Sequence, residues 1–160
     1  MRVARSLVLA VGVLLAAAPQ AFADVTLFLG STTTPSARQA RGFAIGGGIL
    51  VLGFEFEYSD TREDPEDGAP SLRTGMGNIL LQTPVAIGGF QPYFTTGFGG
   101  YRESINERSE TQLGGNAGGG VKMNLAGPLR VRFDYRVFRL RGEPIHDVVH
   151  RFYVGANLNF

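Results

Sequence analysis

Residues 151–160 read Arg151-Phe152-Tyr153-Val154-Gly155-Ala156-Asn157-Leu158-Asn159-Phe160. Phe152, Val154, Ala156, Leu158 and Phe160 fall on one side of an extended chain, and Arg151, Tyr153, Gly155, Asn157 and Asn159 on the other. A strict period of two over ten residues is the pattern of a β-strand with one apolar and one polar face. Chain ends usually fray unless something ties them down. A strand patterned through to a final aromatic therefore predicts that this end is held in a sheet and used.

The same alternation recurs upstream. In residues 129–137, Leu129, Val131, Phe133, Tyr135 and Val137 oppose Arg130, Arg132, Asp134 and Arg136. In residues 52–58, Leu52, Phe54, Phe56 and Tyr58 oppose Gly53, Glu55 and Glu57. Residues 113–125 set Leu113, Ala117, Val121, Met123 and Leu125 against Asn116, Lys122 and Asn124, and residues 91–101 set Phe94 and Phe98 against Tyr93, Thr95 and Tyr101. Residues 25–31, 39–49 and 73–83 carry weaker versions. The sum is eight strands, an even count as in bacterial single-chain outer-membrane barrels. The connectors at 32–38, 60–72, 102–110 and 139–147 are polar and mostly long, whereas the alternate set is 84–90 and the tight 126–128. Long links at one end and short ones at the other predict a barrel with both termini at the short-turn, periplasmic end. Between the second and third strands no polar turn residue occurs. The chain turns either near Leu50-Val51 or at Gly46-Gly47-Gly48, and strand length favours the former.

Composition narrows the class. Of the 160 residues none is cysteine, which excludes a disulfide framework and thiolate chemistry. Glycine numbers 23, about twice the usual ~7%. Arg2 and Arg5 precede an apolar run at 7–18, Pro19, and the small-residue site Ala21-Phe22-Ala23. This is the layout of a secretory signal peptide cleaved after Ala23, and the run is too short for a membrane helix, which takes roughly 20 residues. Residues 24–160 then form one domain. Without Arg2 and Arg5 the 15 basic residues become 13 against 14 acidic, a net charge of −1 that gives no sign of nucleic-acid binding. The remainder holds no apolar run long enough for a membrane helix, so entry into a membrane requires a closed barrel.

Alternation alone also fits a secreted soluble barrel with its charges in water. The polar face here favours the opposite disposition. It carries Gly97, Gly99, Gly114, Asn116, Gly118, Gly120, Asn157 and Asn159, small residues suited to a crowded interior. Its charged members, Glu55, Glu57, Lys122, Arg130, Arg132, Asp134, Arg136 and Arg151, have both signs on different strands. Pointing inward they would neutralise one another across a lumen just wide enough for side chains to fill, which makes a plug rather than a pore. The alternatives are surface salt bridges on a soluble sheet, worth little each, or a narrow channel for small solutes.

With its signal peptide, eight strands and closing strand, the chain resembles the outer-membrane β-barrel family typified by the OmpA transmembrane domain and OmpX. The family's closing signature maps onto Tyr153, Gly155, Leu158 and Phe160. The resemblance implies an all-β, eight-stranded antiparallel up-and-down transmembrane barrel in the outer membrane. It implies recognition of the last strand by the barrel-assembly machinery, and contact with outer-membrane lipid and lipopolysaccharide. It covers residues 24–160 and specifies architecture rather than activity. No peptidoglycan-binding segment of the OmpA kind follows the barrel in this sequence.

No catalytic, metal or cofactor site is predicted. His146 and His150 are the only imidazoles that titrate near neutral pH. The deacylase-type arrangement of lipid A-modifying barrels puts a serine two residues after the histidine, where Val148 and Phe152 stand here. Ser104 and Ser109 lie in another link, and the acidic stretch 60–68 lacks the ligand register of a calcium loop. Arg38, Arg41, Arg73, Arg102, Arg139 and Arg141 cluster where strands leave the apolar belt. They are read as interface anchors, with Arg41, Arg139 and Arg141 as candidate contacts to lipopolysaccharide phosphate. The expectation is a monomeric barrel without enzymatic activity, acting structurally or through its outward loops. A rim-sited lipid A-modifying enzyme is an alternative.

Overall fold

The computed structural model describes residues 21–106 and 108–160. The predicted signal peptide falls mainly outside that range, and Ala21, Phe22 and Ala23 continue the first strand. The strands are β1 (Ala21–Thr32), β2 (Arg38–Ile49), β3 (Leu52–Thr61), β4 (Ser71–Gln82), β5 (Phe90–Ile105), β6 (Arg108–Ala126), β7 (Leu129–Leu140) and β8 (Val148–Asn159). Each pairs antiparallel with its chain neighbours, and β8 pairs back onto β1 to close the sheet. The fold is therefore an all-β, eight-stranded, antiparallel up-and-down barrel.

One row of paired residues runs from Phe22 through Gly48, Gly53, Leu80, Thr95, Gly118, Arg136 and Arg151. It returns to β1 at Thr32, ten residues beyond its start. Such a stagger tilts the strands by roughly 35–45°, and an eight-stranded interior is then filled by side chains. Period two decides which ones. Leu27, Ile45, Phe54, Ile79, Phe94 and Val154 point outward and exposed, while Thr26, Ala44, Glu55, Asn78, Thr95 and Tyr153 are buried inside. Apolar residues cover the outside and charges fill the inside. Water would penalise that disposition and hydrocarbon rewards it, which weighs against the soluble barrel.

The β2–β3 link is the tight turn Leu50-Val51, with Leu50 at φ 54. The β6–β7 link is Gly127-Pro128, with Gly127 at φ 53. The opposite end differs from the expectation. Residues 102–110 are not a long loop: β5 runs to Ile105, β6 starts at Arg108, and Arg102–Thr111, Glu103–Glu110 and Ser104–Ser109 pair across them. Likewise β7 extends to Leu140 and β8 begins at Val148. The reason is a change of the outer face at this end. Leu72, Tyr101, Phe138 and Leu140 face inward together with the buried Glu103 and Arg38, while Arg73, Arg102 and Arg139 face outward and exposed. Here charged residues stand on both faces of the strands, so the alternation that marks a strand is lost and the segments resemble loops when read in one dimension.

Candidate functional site

The chemistry of the chain converges in the lumen. In a ring of eight, β3 and β7 stand four places apart and face each other across the barrel. Alternation aims Glu55 and Glu57 inward from β3, and Arg132, Asp134 and Arg136 inward from β7. Arg132 bonds Glu55 across the lumen and touches Asp134 at 3.1 Å. Arg136 reaches Glu55 Oε1 at 2.8 Å, Glu57 Oε2 at 3.1 Å and Asp134 Oδ1 at 3.0 Å. From β8, Arg151 bonds Glu57 and Ser59 Oγ. Tyr93 from β5 donates its hydroxyl to Asp134 and accepts from Arg132 Nε at 2.7 Å. Nearer the short-turn end Lys122 pairs with Asp24. Four cations thus meet four carboxylates, all nearly removed from solvent. Buried charges persist only when paired and hydrogen-bonded, and here each has a partner of opposite sign.

The eighth residue of the predicted charge set does not join. Arg130 lies at the mouth, partly exposed, and donates to Gln91 Oε1 at 3.0 Å. It faces inward as expected, but from the first turn of β7, below the level of the carboxylates. Three participants were missed in the sequence. Asp24 was read only as the first residue after the cleavage site, Tyr93 only as a member of a polar face, and Tyr153 as a polar-face residue of the closing signature. The signal for Asp24 was its inward phase on β1, shared with Thr26 and Phe28.

In the half of the lumen away from the termini, Leu72, Met76, Tyr101, Phe138, Leu140 and Val149 form a buried apolar cluster, with Glu103 buried at the same end. Above it Arg38 donates to the carbonyls of Pro70 and Thr34, tying two outer links together. The sequence reading placed Arg38 with the interfacial arginines. Its phase on β2, shared with the buried Ala40 and Ala44, turns it inward instead.

The closing-strand residues divide by face. Tyr153 lies inside, stacked on Phe28 with ring centroids 4.1 Å apart and its hydroxyl 3.4 Å from Glu57 Oε2. Gly155 also faces in, where a Cβ would meet Thr26 Cγ2 at 2.7 Å and Leu27 O at 2.9 Å. Leu158 and Phe160 face out. Ala23 and Phe160 exchange backbone hydrogen bonds of 2.8 and 2.9 Å, so the pairing of β1 with β8 extends to Phe160.

The three arginines read as candidate lipopolysaccharide contacts stand on different parts of the barrel. Arg41 points outward from β2, Arg139 outward from β7, and Arg141 lies in the link that follows. Of the histidines, His150 sits at the outer surface with Nδ1 2.8 Å from the Tyr135 hydroxyl, beside a Tyr135–Phe152 stack at 4.4 Å. Ser104 and Ser109 bond each other at 3.2 Å. Among the described residues no serine hydroxyl is hydrogen-bonded to either histidine.

No protein-family model matches the chain, and no curated protein matches it. Solved structures do. The N-terminal β-barrel domain of Pseudomonas aeruginosa OprF aligns with a TM-score of 0.64 at 15% identity, over 88% of this chain and 100% of that one. A major outer membrane protein of Thermus thermophilus aligns with a TM-score of 0.64 at 16% identity, over 88% and 100%. The outer membrane enzyme PagL aligns with a TM-score of 0.52 at 12% identity, over 84% and 98%. At these identities the likeness is one of fold. The chain has the architecture of small outer-membrane β-barrels, a fold that also carries an enzyme.

Proposed function

We propose that this protein is a small integral outer-membrane barrel that does not conduct. In this reading it is exported through a signal peptide cleaved after Ala23 and inserted by the barrel-assembly machinery, which reads β8 through Tyr153, Gly155, Leu158 and Phe160. It sits as a monomer with its short turns in the periplasm. Its role is structural, or lies in what the outer links and the β5–β6 hairpin touch, and it is not catalytic. The carrying observation is the ion-pair layer from Glu55 and Glu57 to Arg132 and Arg136, which spans the lumen from β3 to β7. A second, apolar layer around Met76, Tyr101 and Phe138 lies above it. An ion crossing the barrel would have to part both.

Planar-bilayer recording tests the seal. The purified barrel is expected to give no unitary current steps, and the Glu55→Ala/Arg132→Ala/Phe138→Ala variant to give small ones by opening both layers. Steady steps from the unaltered protein would contradict the reading and favour the narrow channel.

A further inference from the structure

On the outer surface the register places Arg41, Asp60, Arg73 and Arg102 side by side, one on each of β2, β3, β4 and β5. The sequence reading had put Asp60 in a loop; it is a strand residue. Its carboxylate is 3.6 Å from Arg41 and 3.0 Å from Arg73. Arg73 and Arg102 stand directly opposite each other, and among the described residues Arg102 donates to the neutral Ser109 Oγ at 3.1 Å. Like charges in direct cross-strand register are destabilising. Three guanidinium groups share one carboxylate, so the row has an excess of two positive charges. With strands about 4.8 Å apart, it spans roughly 14 Å.

The surface just below is apolar. The next outward row holds Phe43, Tyr58, Gly75 and Gly100. A groove lined by Leu27, Phe43, Tyr58 and Val154 runs down from Arg41, Asp60 and Arg73. The row thus marks the level where the outer face changes from hydrocarbon-compatible to charged. The ligand that matches has an anionic head and an apolar tail.

We infer that this row binds the head of an outer-leaflet glycolipid bearing two phosphate groups, of the lipid A kind, with one acyl chain in the groove beneath Arg41. Guanidinium forks match phosphate oxygens bidentately. A phosphate between Arg73 and Arg102 turns their repulsion into two attractions. A phospholipid with a single phosphodiester, such as phosphatidylglycerol, brings one negative charge and leaves the row unbalanced, whereas two phosphates spaced along the row neutralise it. The inference rests on the outer end of the barrel facing outward, as proposed above. It replaces the grouping of Arg41 with Arg139 and Arg141.

The test is titration of the refolded barrel in detergent with diphosphoryl lipid A and with phosphatidylglycerol, read by native mass spectrometry. Every variant is first checked for a heat-shifted folded band. Arg73→Gln/Arg102→Gln is expected to weaken lipid A binding by about tenfold or more. Arg139→Gln/Arg141→Gln should leave it unchanged, and Asp60→Asn should tighten it by removing the competing carboxylate. Phosphatidylglycerol should bind the unaltered barrel more weakly than lipid A. Equal loss in both arginine pairs, no loss in either, or equal binding of the two lipids would overturn the site. None of these variants touches the lumen, so failure here is separable from failure of the seal. Orientation is checked independently by protease cleavage in the 62–70 link on intact cells.

Discussion

Arg136 shows what a single residue does in this lumen. Its guanidinium touches Glu55, Glu57 and Asp134, from two opposed strands, and it is fully buried. A buried ion pair adds little net stability over apolar packing, but removing one partner strands the others in low dielectric. Arg136→Met is therefore expected to cost about 3–5 kcal/mol, seen as a lower urea midpoint for the folded gel band in lipid vesicles. A change below about 1 kcal/mol would place the worth of the site elsewhere. By contrast, Arg130→Gln should shift the midpoint little, because Arg130 binds only Gln91 at the mouth. The sequence pattern put both arginines on one face. It did not show depth along the barrel axis, and depth is what separates them.

At the scale of elements, the middle of every strand was legible, because lipid outside and polar side chains inside impose period two on the sequence. The β2–β3 turn was legible from strand length alone. There Leu50 adopts a left-handed φ of 54, a conformation that costs a non-glycine residue about 1 kcal/mol or more. Leu50→Gly is predicted to raise the unfolding free energy by about 1 kcal/mol, seen as a higher urea midpoint; a fall would mean that the Leu50 side chain contributes packing that outweighs the strain. The strand ends away from the termini were not legible. From Tyr101 to Glu110 and from Phe138 to Leu140 charged residues such as Arg102 and Arg139 stand on the outside, and a charged outward residue on a strand looks the same as one in a loop. Asp60 was misplaced for the same reason. Arg38 was misplaced because it lies at the start of β2 on the inward phase of Ala40 and Ala44.

Over the whole molecule, the account joins an apolar exterior, a stagger of ten residues and a filled interior into one object. Closure was legible once β8 was seen to be patterned to its end, since an open edge has no place in lipid. The cross-lumen partners were not, because pairing Glu55 with Arg132 needs the ring geometry that sets β3 opposite β7. The central claim is that this ring forms in the outer membrane with its apolar face in lipid. The direct measurement is electrophoresis of separated outer-membrane and soluble fractions, with and without heating. The account predicts a band confined to the outer-membrane fraction that migrates differently before and after boiling. A band in the soluble fraction whose mobility does not depend on heating would contradict it.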